Sequence, residues 1–365
     1  MTNKRVCKRC VMDNVSDRFI TFDEDGYCNY CTQVLSQINT TTYFPNETGK
    51  AKLDKLLHQI KEENKNKPYD CVMGISGGLD SSYLAYLGYK WGLRILAVHI
   101  DDGFDTEISK RNIEKLCKAA HIELRTIRPD AEQFNALTLA YMRAGVPNLA
   151  IPQDNVLFAF LNNTVVQEKL KYFLSGGNFA LECILQLDHV FDAMDTVNIH
   201  DINRRFGTKS TDKLKFESIY KRFLNKKLGK VLALRPLNYI EYNRARAFKE
   251  LYEFCGFEYY GNKHLENILT AFVQLYWFPK KFGVDKRTSH LSSMIVSGQM
   301  TREEVLQELE KPIYEEAMMH EYITLIQTKL GLTESEFEQI MSSPTHEHTD
   351  FRTDKLTALL RMIKK

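Results

Sequence analysis

The run Ser76-Gly77-Gly78-Leu79-Asp80-Ser81-Ser82 follows directly on the apolar segment Cys71-Val72-Met73-Gly74-Ile75. No other stretch constrains the fold as strongly, because it reads as a strand entering a tight anion-binding turn, with an apolar helix beginning at Tyr83-Leu84-Ala85. Two adjacent glycines let the backbone turn sharply and bring its N–H groups close to an anion, and the following helix presents its positive N-terminal end. Hydroxyls of Ser76, Ser81 and Ser82 add neutral donors. A Walker loop ends in Gly-Lys-Ser/Thr, and no such ending occurs here. The expected chemistry is cleavage of ATP between its α and β phosphates, leaving AMP and pyrophosphate. The competing reading is a plain tight turn between strand and helix.

From Tyr69 the pattern alternates: strand 70–75, helix 81–91, strand 94–100, helix 106–120 and strand 122–127. A βαβαβ unit implies a parallel, doubly wound sheet of the α/β class. A helix over 156–170 then leads to a short strand at 171–175 that ends in Gly176-Gly177-Asn178. Ligands collect at the carboxyl ends of such strands, so loops 76–82, 101–105 and 175–182 should converge. Gly176, Gly177 and Asn178 would let a nucleotide approach the backbone closely. Asp101 or Asp102 could accept from ribose or adenine or help hold magnesium, and either reads equally well as a strand-end Asp-Gly turn. Glu182 is a candidate magnesium ligand or a capping carboxylate. Asp154 precedes an apolar stretch and reads as a helix N-cap that can also face ligand.

Cys7-x2-Cys10 and Cys28-x2-Cys31 are separated by seventeen residues, the spacing of two knuckles that together offer four thiolates. Structural zinc is the expectation, with an iron-sulfur cluster or a redox pair as alternatives. Phe19–Phe22 and the Asp23–Tyr27 segment read as a strand and hairpin turn between the knuckles. Cys71, Cys117, Cys183 and Cys255 lack paired spacing and read as inert core thiols.

The 365-residue chain is 44% hydrophobic and 26% charged, with a formal net charge of +2, an ordinary globular composition that marks neither a nucleic-acid nor a membrane protein. No apolar run approaches the ~20 residues needed to span a bilayer, and the cytoplasm is the expected compartment. Three regions are expected: a zinc-ribbon module over 1–45, a pyrophosphatase domain over 46–205, and a mostly helical substrate or partner region over 206–365. Between Arg204 and Lys230 ten basic residues face only Asp212 and Glu217, a solvated face or an anion-binding rim. Thr301-Arg302-Glu303-Glu304 fits a capping box, and Trp277 with its aromatic neighbours reads as core.

The knuckles, the Ser76–Ser82 loop, the blocks 98–104 and 175–180, Arg235-Pro236-Leu237-Asn238-Tyr239, Lys281-Phe282-Gly283-Val284-Asp285-Lys286-Arg287 and 297–304 together resemble the N-acetyl sugar amidotransferases. These belong to the PP-loop ATP pyrophosphatases and act in biosynthesis of lipopolysaccharide O-antigen or flagellin-glycan sugars. The resemblance covers about residues 5–310. One departure stands: after Lys263-His264 the family pattern expects a second histidine and an arginine, where this chain has Leu265-Glu266-Asn267-Ile268.

The resemblance implies conversion of a nucleotide-linked sugar's acetamido group to acetamidino. ATP would adenylate the amide oxygen and ammonia would displace AMP, with magnesium on the phosphates. It places Asp80, Ser76 and Ser81 at the chemistry. Nucleotide contacts would come from Gly77, Gly78, Ser82, Asp101, Asp102, Gly176, Gly177, Asn178 and Glu182. The sugar would be met by Asp154, Tyr239, Lys263, His264, Lys286, Arg287 and His290. A separate glutaminase with a cyclase-like subunit would supply ammonia, free ammonia being the alternative. Rival readings are a tRNA-modifying enzyme of thiolation or lysidine type, and a nucleotide-dependent binding subunit without chemistry. Nucleic acid and membrane are not expected partners.

Overall fold

The computed structural model describes residues 4–261 and 265–357. Five parallel strands form one sheet in the order β3-β2-β1-β4-β5. They are β1 (Cys71–Gly74), β2 (Ile95–Ile100), β3 (Glu123–Ile127), β4 (Tyr172–Leu174) and β5 (Leu232–Leu234). The register sets Val72 against Leu96 and Phe173, and Leu96 against Glu123. In β1 and β2 alternate residues serve opposite cores. Cys71, Met73, Ile95 and Ala97 enter one core, while Val72, Leu96 and Val98 enter the other with Leu161 and Val165. Burial on both faces explains why these strands read as continuous apolar runs.

Before the sheet come α1 (Asn29–Leu35) and α2 (Glu47–Asn64). Within it lie α3 (Leu79–Lys90), α4 (Glu107–Ala119), α5 (Ala131–Ala144), α6 (Ile151–Gln167), the single turn α7 (Phe179–Glu182), α8 (Thr196–Phe206) and α9 (Ile219–Lys227). After β5 follow α10 (Arg244–Cys255), α11 (Ile268–Phe272), a π-helical stretch Val273–Phe282, α12 (Arg287–Val296), α13 (Arg302–Glu310), α14 (Glu316–Leu330) and α15 (Glu334–Ser342). Thr301 caps α13 with the expected box, and Trp277 is fully buried, its indole N–H donating to the Val146 carbonyl at 3.0 Å.

Three expectations are corrected. The sheet's fifth strand lies at 232–234, so the expected division at 205 does not coincide with the end of the sheet. β5 is three residues long and half-exposed, too short to show an alternation. The strand expected over 19–22 is only an isolated bridge between Phe22 and Cys28. Helix α6 starts at Ile151 rather than 156, which puts Asp154 in its first turn, donating its backbone N–H to Ala150, instead of at the N-cap.

The ribbon is fastened to the C-terminal helices. Arg302 donates to the carbonyls of Cys10 at 3.2 Å and Cys7 at 3.3 Å, and the Val11 amide donates to Ser292 Oγ at 3.2 Å. Helix α12 in turn holds α7: Ser293 Oγ accepts from the Ile184 amide, and Ser297 Oγ donates to the Ala180 carbonyl at 2.7 Å. No described helix is long and apolar enough to cross a membrane.

Candidate functional site

The three loops converge at the carboxyl ends of β1, β2 and β4. Gly77 turns with φ +76°, and a Cβ there would lie 2.4 Å from the Ser109 carbonyl oxygen, so glycine is required on both counts. A Cβ on Gly176 would lie 2.8 Å from the Ser81 amide nitrogen, which fixes how closely loops 76–82 and 175–182 approach. Ser76 and Ser81 face each other with hydroxyls 3.3 Å apart, and Ser81 Oγ also accepts from the Ser76 amide.

Two cavities meet at this point. One, of about 250 Å³, runs along the strand ends and is lined by Val98, Ile100, Leu157, Phe158 and Phe173 on its apolar side. The other, of about 210 Å³, lies over Gly78, Leu79, Asp80 and Gly177 at the N-terminus of α3. Ser76, Ser81, Gly176 and Glu266 line both. An apolar slot joined to an anion-binding turn suits a base and sugar carrying a phosphate chain.

Not every loop group faces this space. Ser82 is fully buried on the inner side of α3 and lines neither cavity, which corrects its expected contact. Besides that of Ser76, two loop amides are already bonded: Gly78 donates to Ser76 Oγ at 3.2 Å, and Leu79 donates to the Tyr260 hydroxyl at 2.7 Å. The phenol of Tyr260 lines the 210 Å³ cavity and thus stands where the amide alone was expected. Asp80 accepts from the buried Tyr242 hydroxyl, which aims its carboxylate. Asn178 caps α7 through the Leu181 amide and is almost fully buried, a loop-shaping role. Glu182 accepts from the Asn178 amide at 3.3 Å and borders the 210 Å³ cavity.

The structure separates the two strand-end aspartates. Asp101 turns outward, accepting from Arg128 at 2.8 Å and from the Gly103 amide. Asp102 turns inward, accepting from Gln153 Nε2 and from Asn267 Nδ2, and burial pushes its carboxyl up to about 6. Beside it His99 Nε2 lies 3.1 Å from Asp105. Burial is the largest single influence and opposes a charge on His99, but the bond to and charge of Asp105, the Ile75 carbonyl and the Asp101 charge together outweigh it and raise its pKa. Asp154 lines the 250 Å³ cavity with its side chain open to solvent there, and the protein crowded around it pushes its carboxyl up to about 7.

A third cavity, of about 430 Å³, lies between α7 and α12 and shares Glu182 with the 210 Å³ one. Leu181, Arg244, Tyr259, Lys286 and His290 are among its walls. Burial pulls the Lys286 ammonium down to about 8, and it lies 4.9 Å from the centre of the Phe278 ring. His290 Nδ1 is 3.0 Å from the Leu181 carbonyl oxygen. Arg287 lines this cavity but is committed elsewhere: it grips Asp285 with two nitrogens and the carbonyls of Glu308, Leu309 and Lys311, so its expected sugar contact gives way to a structural clamp. Tyr239 stacks near Phe44 and lines none of these cavities. Lys263 and His264 lie outside the described residues.

Sequence reasoning missed Gln153, Tyr242, Tyr260, Glu266 and Asn267. The last two fall in the segment that departs from the family pattern, which was the available signal. The tyrosines gave none.

At the other end of the chain, the sulfurs of Cys7, Cys10, Cys28 and Cys31 all lie within 4.8 Å of one another and are buried. The Cys7–Cys31 and Cys10–Cys28 separations are 3.7 and 3.5 Å. Four thiolates held at about 2.3 Å around one tetrahedral ion lie about 3.8 Å apart. The cluster fits a single metal ion.

Sheet and loop define a PP-loop α/β fold. Residues 266–365 match the family described as LPS biosynthesis protein WbpG-like, C-terminal domain. The chain thus resembles an N-acetyl sugar amidotransferase, as its motifs suggest, with WbpG-like sequence in its last part. Over 126 residues it is 26% identical to the uncharacterized protein MJ1599 of Methanocaldococcus jannaschii, covering 34% of this chain and 43% of that protein. The match therefore spans less than half the length of that curated relative. Among solved structures, NMN synthetase from Francisella tularensis aligns at a TM-score of 0.37 and 16% identity, covering 78% of this chain and 97% of that one. The U34-tRNA thiolase NcsA from Methanococcus maripaludis aligns at 0.33 and 13%, covering 90% and 89%. NH3-dependent NAD synthetase from Campylobacter jejuni aligns at 0.28 and 17%, covering 36% and 58%.

Proposed function

We propose that the chain is an ATP-dependent, AMP-forming amidotransferase that converts an acetamido group of a nucleotide-linked sugar to acetamidino in bacterial surface-glycan biosynthesis. The observation that carries this reading is the meeting of the nucleotide-sized pair of cavities at Ser76, Ser81 and Gly176, with the 430 Å³ cavity joined to it across Glu182. The WbpG-like match over 266–365 supports the glycan setting.

An amide oxygen is a poor leaving group. Its attack on the α phosphorus of ATP forms a C–O–P bond and expels pyrophosphate; ammonia then adds to the activated carbon, and AMP departs with that oxygen. The sum is amide, ATP and ammonia to amidine, AMP and pyrophosphate. The base would lie in the slot formed by Val98, Ile100 and Phe173, and the phosphates over Ser76, Ser81 and Asp80. The acceptor would enter beside Glu182 with Lys286 and His290 on its anionic part. Catalysis then rests on positioning and charge stabilisation rather than on a protein nucleophile. Magnesium accompanies ATP, zinc occupies the four-cysteine cluster as a structural ion, and a separate glutaminase is the ammonia source.

In the segment from Arg204 to Lys230, Arg204, Arg205, Lys209, Lys213, Lys221 and Arg222 each pair with a carboxylate. This supports a solvated, paired face over an RNA-binding rim. The test is mass spectrometry of UDP- and CMP-linked acetamido sugars incubated with ATP and ammonia. A product with one oxygen exchanged for NH, formed with equal AMP and pyrophosphate, is expected. Pyrophosphate release that requires tRNA instead would overturn the reading.

A further inference from the structure

The junction of the two nucleotide cavities contains one carboxylate that sequence reasoning did not assign. Glu266 lines both cavities together with Ser76, Ser81 and Gly176. Its Oε1 accepts from Ser76 Oγ at 3.3 Å, and a Cβ on Gly78 would come within 2.5 Å of that oxygen. A side chain at position 78 would therefore displace the carboxylate from the loop, although the backbone there is extended, with φ −76°, and does not itself demand glycine. The backbone beneath Glu266 is tightly held. Its carbonyl accepts from the Thr106 amide at 3.0 Å and from Thr106 Oγ1 at 3.2 Å, the Ile268 amide donates to the Phe104 carbonyl at 2.7 Å, and Asn267 bonds Asp102. The carboxylate is placed by the strand-end loop that carries Asp101 to Thr106.

The α3 N-terminus, the serine hydroxyls and the Tyr260 phenol favour an anion at this turn, whereas Asp80 and Glu182 bring two further carboxylates to the 210 Å³ cavity beside Glu266. A carboxylate in the same space repels a phosphate unless a cation stands between them. Magnesium takes one or two carboxylates and completes its octahedron with substrate phosphates and water, instead of using an all-protein cage. Asp80, Glu182 and Glu266 line one cavity, but among the described residues the only set of metal-ligating atoms gathered within 4.8 Å of one another is that of the four cysteines. A site completed by the substrate's own oxygens is the arrangement this calls for.

We propose that Glu266 is the carboxylate through which a divalent cation joins the triphosphate of ATP to the Ser76–Ser82 loop. The proposal rests on the ATP reading above and assigns the residue that makes binding metal-dependent.

The test is calorimetric titration of ATP into the full chain and into Glu266→Gln, each in EDTA and in magnesium, with melting temperatures measured alongside. The wild type should bind ATP at least tenfold more tightly with magnesium. Glu266→Gln should bind metal-free ATP more tightly than the wild type, because the repulsion is gone, and should lose most of the gain from magnesium. Glu266→Asp, a second variant in case the amide folds poorly, should keep the direction of the magnesium effect at reduced size. With manganese as probe, the paramagnetic resonance spectrum of the bound manganese–ATP complex should change in Glu266→Gln. Equal weakening with and without metal, or no change in either, would overturn the proposal. Wild-type protein that binds no ATP under any condition would instead remove the ATP reading on which it stands.

Discussion

Gly176 stands so close to Ser81 that a Cβ built on it would lie 2.8 Å from the Ser81 amide nitrogen and 2.9 Å from the Asp80 carbonyl carbon. Both obstacles are backbone, so Gly176→Ala must push the two loops apart. We expect ATP affinity to fall at least about tenfold, roughly 1.4 kcal/mol, with little change in melting temperature. Gly177→Ala is the control, since its Cβ would meet the ends of the Ser175, Glu182 and Arg235 side chains at 3.3–3.7 Å. Equal losses in the two variants would show that the close approach is not what matters.

Lys286 should bind the anionic part of the acceptor. Its ammonium is pulled down to about 8 by burial, so it is charged below that pH and loses its proton as pH rises through it. Acceptor affinity should weaken above about pH 8, and Lys286→Met should lower affinity at pH 7 tenfold or more, for roughly 1.5–3 kcal/mol of charge-assisted bonding. The same variant should flatten the pH profile. Binding titrations with sugars that differ only in a carboxylate or phosphate check it, and a profile unchanged in the variant would refute the assignment.

Asp154 carries a stability cost at neutral pH. Its folded-state pKa of about 7 lies above the ordinary value of 3.8, so folding favours the protonated form. The penalty is absent below about pH 4 and grows until pH passes 7. Asp154→Asn should therefore raise the melting temperature at pH 8 and leave it unchanged at pH 4. A shift of the same size at both values would place its origin elsewhere.

Arg287 is read as a clamp on Asp285 and the end of α13. Removing one partner of such a shielded pair leaves charges and carbonyls unsatisfied. Urea denaturation of Arg287→Ala should show a loss of roughly 2–3 kcal/mol. If acceptor affinity falls while stability holds, the residue belongs to the binding site after all.

The four-cysteine cluster should contain one zinc per chain and no iron by elemental analysis. Cys10→Ser should lose the metal and lower the melting temperature. Because Arg302 and Ser292 tie the ribbon to α13 and α12, zinc loss should also weaken acceptor binding in the cavity lined by α12. Iron with visible absorption would overturn the single-ion reading.

Much of this architecture was legible in the chain itself. The glycine pair after β1, the apolar strand runs and the two Cys-x2-Cys knuckles are local signals, because turn conformation, double-sided burial and paired thiolate spacing are all set by residues close in sequence. They determined the parallel sheet, the glycine turn after β1 and the four-cysteine cluster. The tertiary structure decided what depends on contacts between distant segments. It separated Asp101, which pairs with Arg128, from Asp102, which faces the cavity. It buried Ser82, turned Arg287 into a clamp, and brought Tyr242, Tyr260 and Glu266 to a loop more than 160 positions earlier in the chain. No local pattern encodes such meetings, since a side chain's role at a site follows from which neighbour compensates its charge and hydrogen bonds once water is excluded.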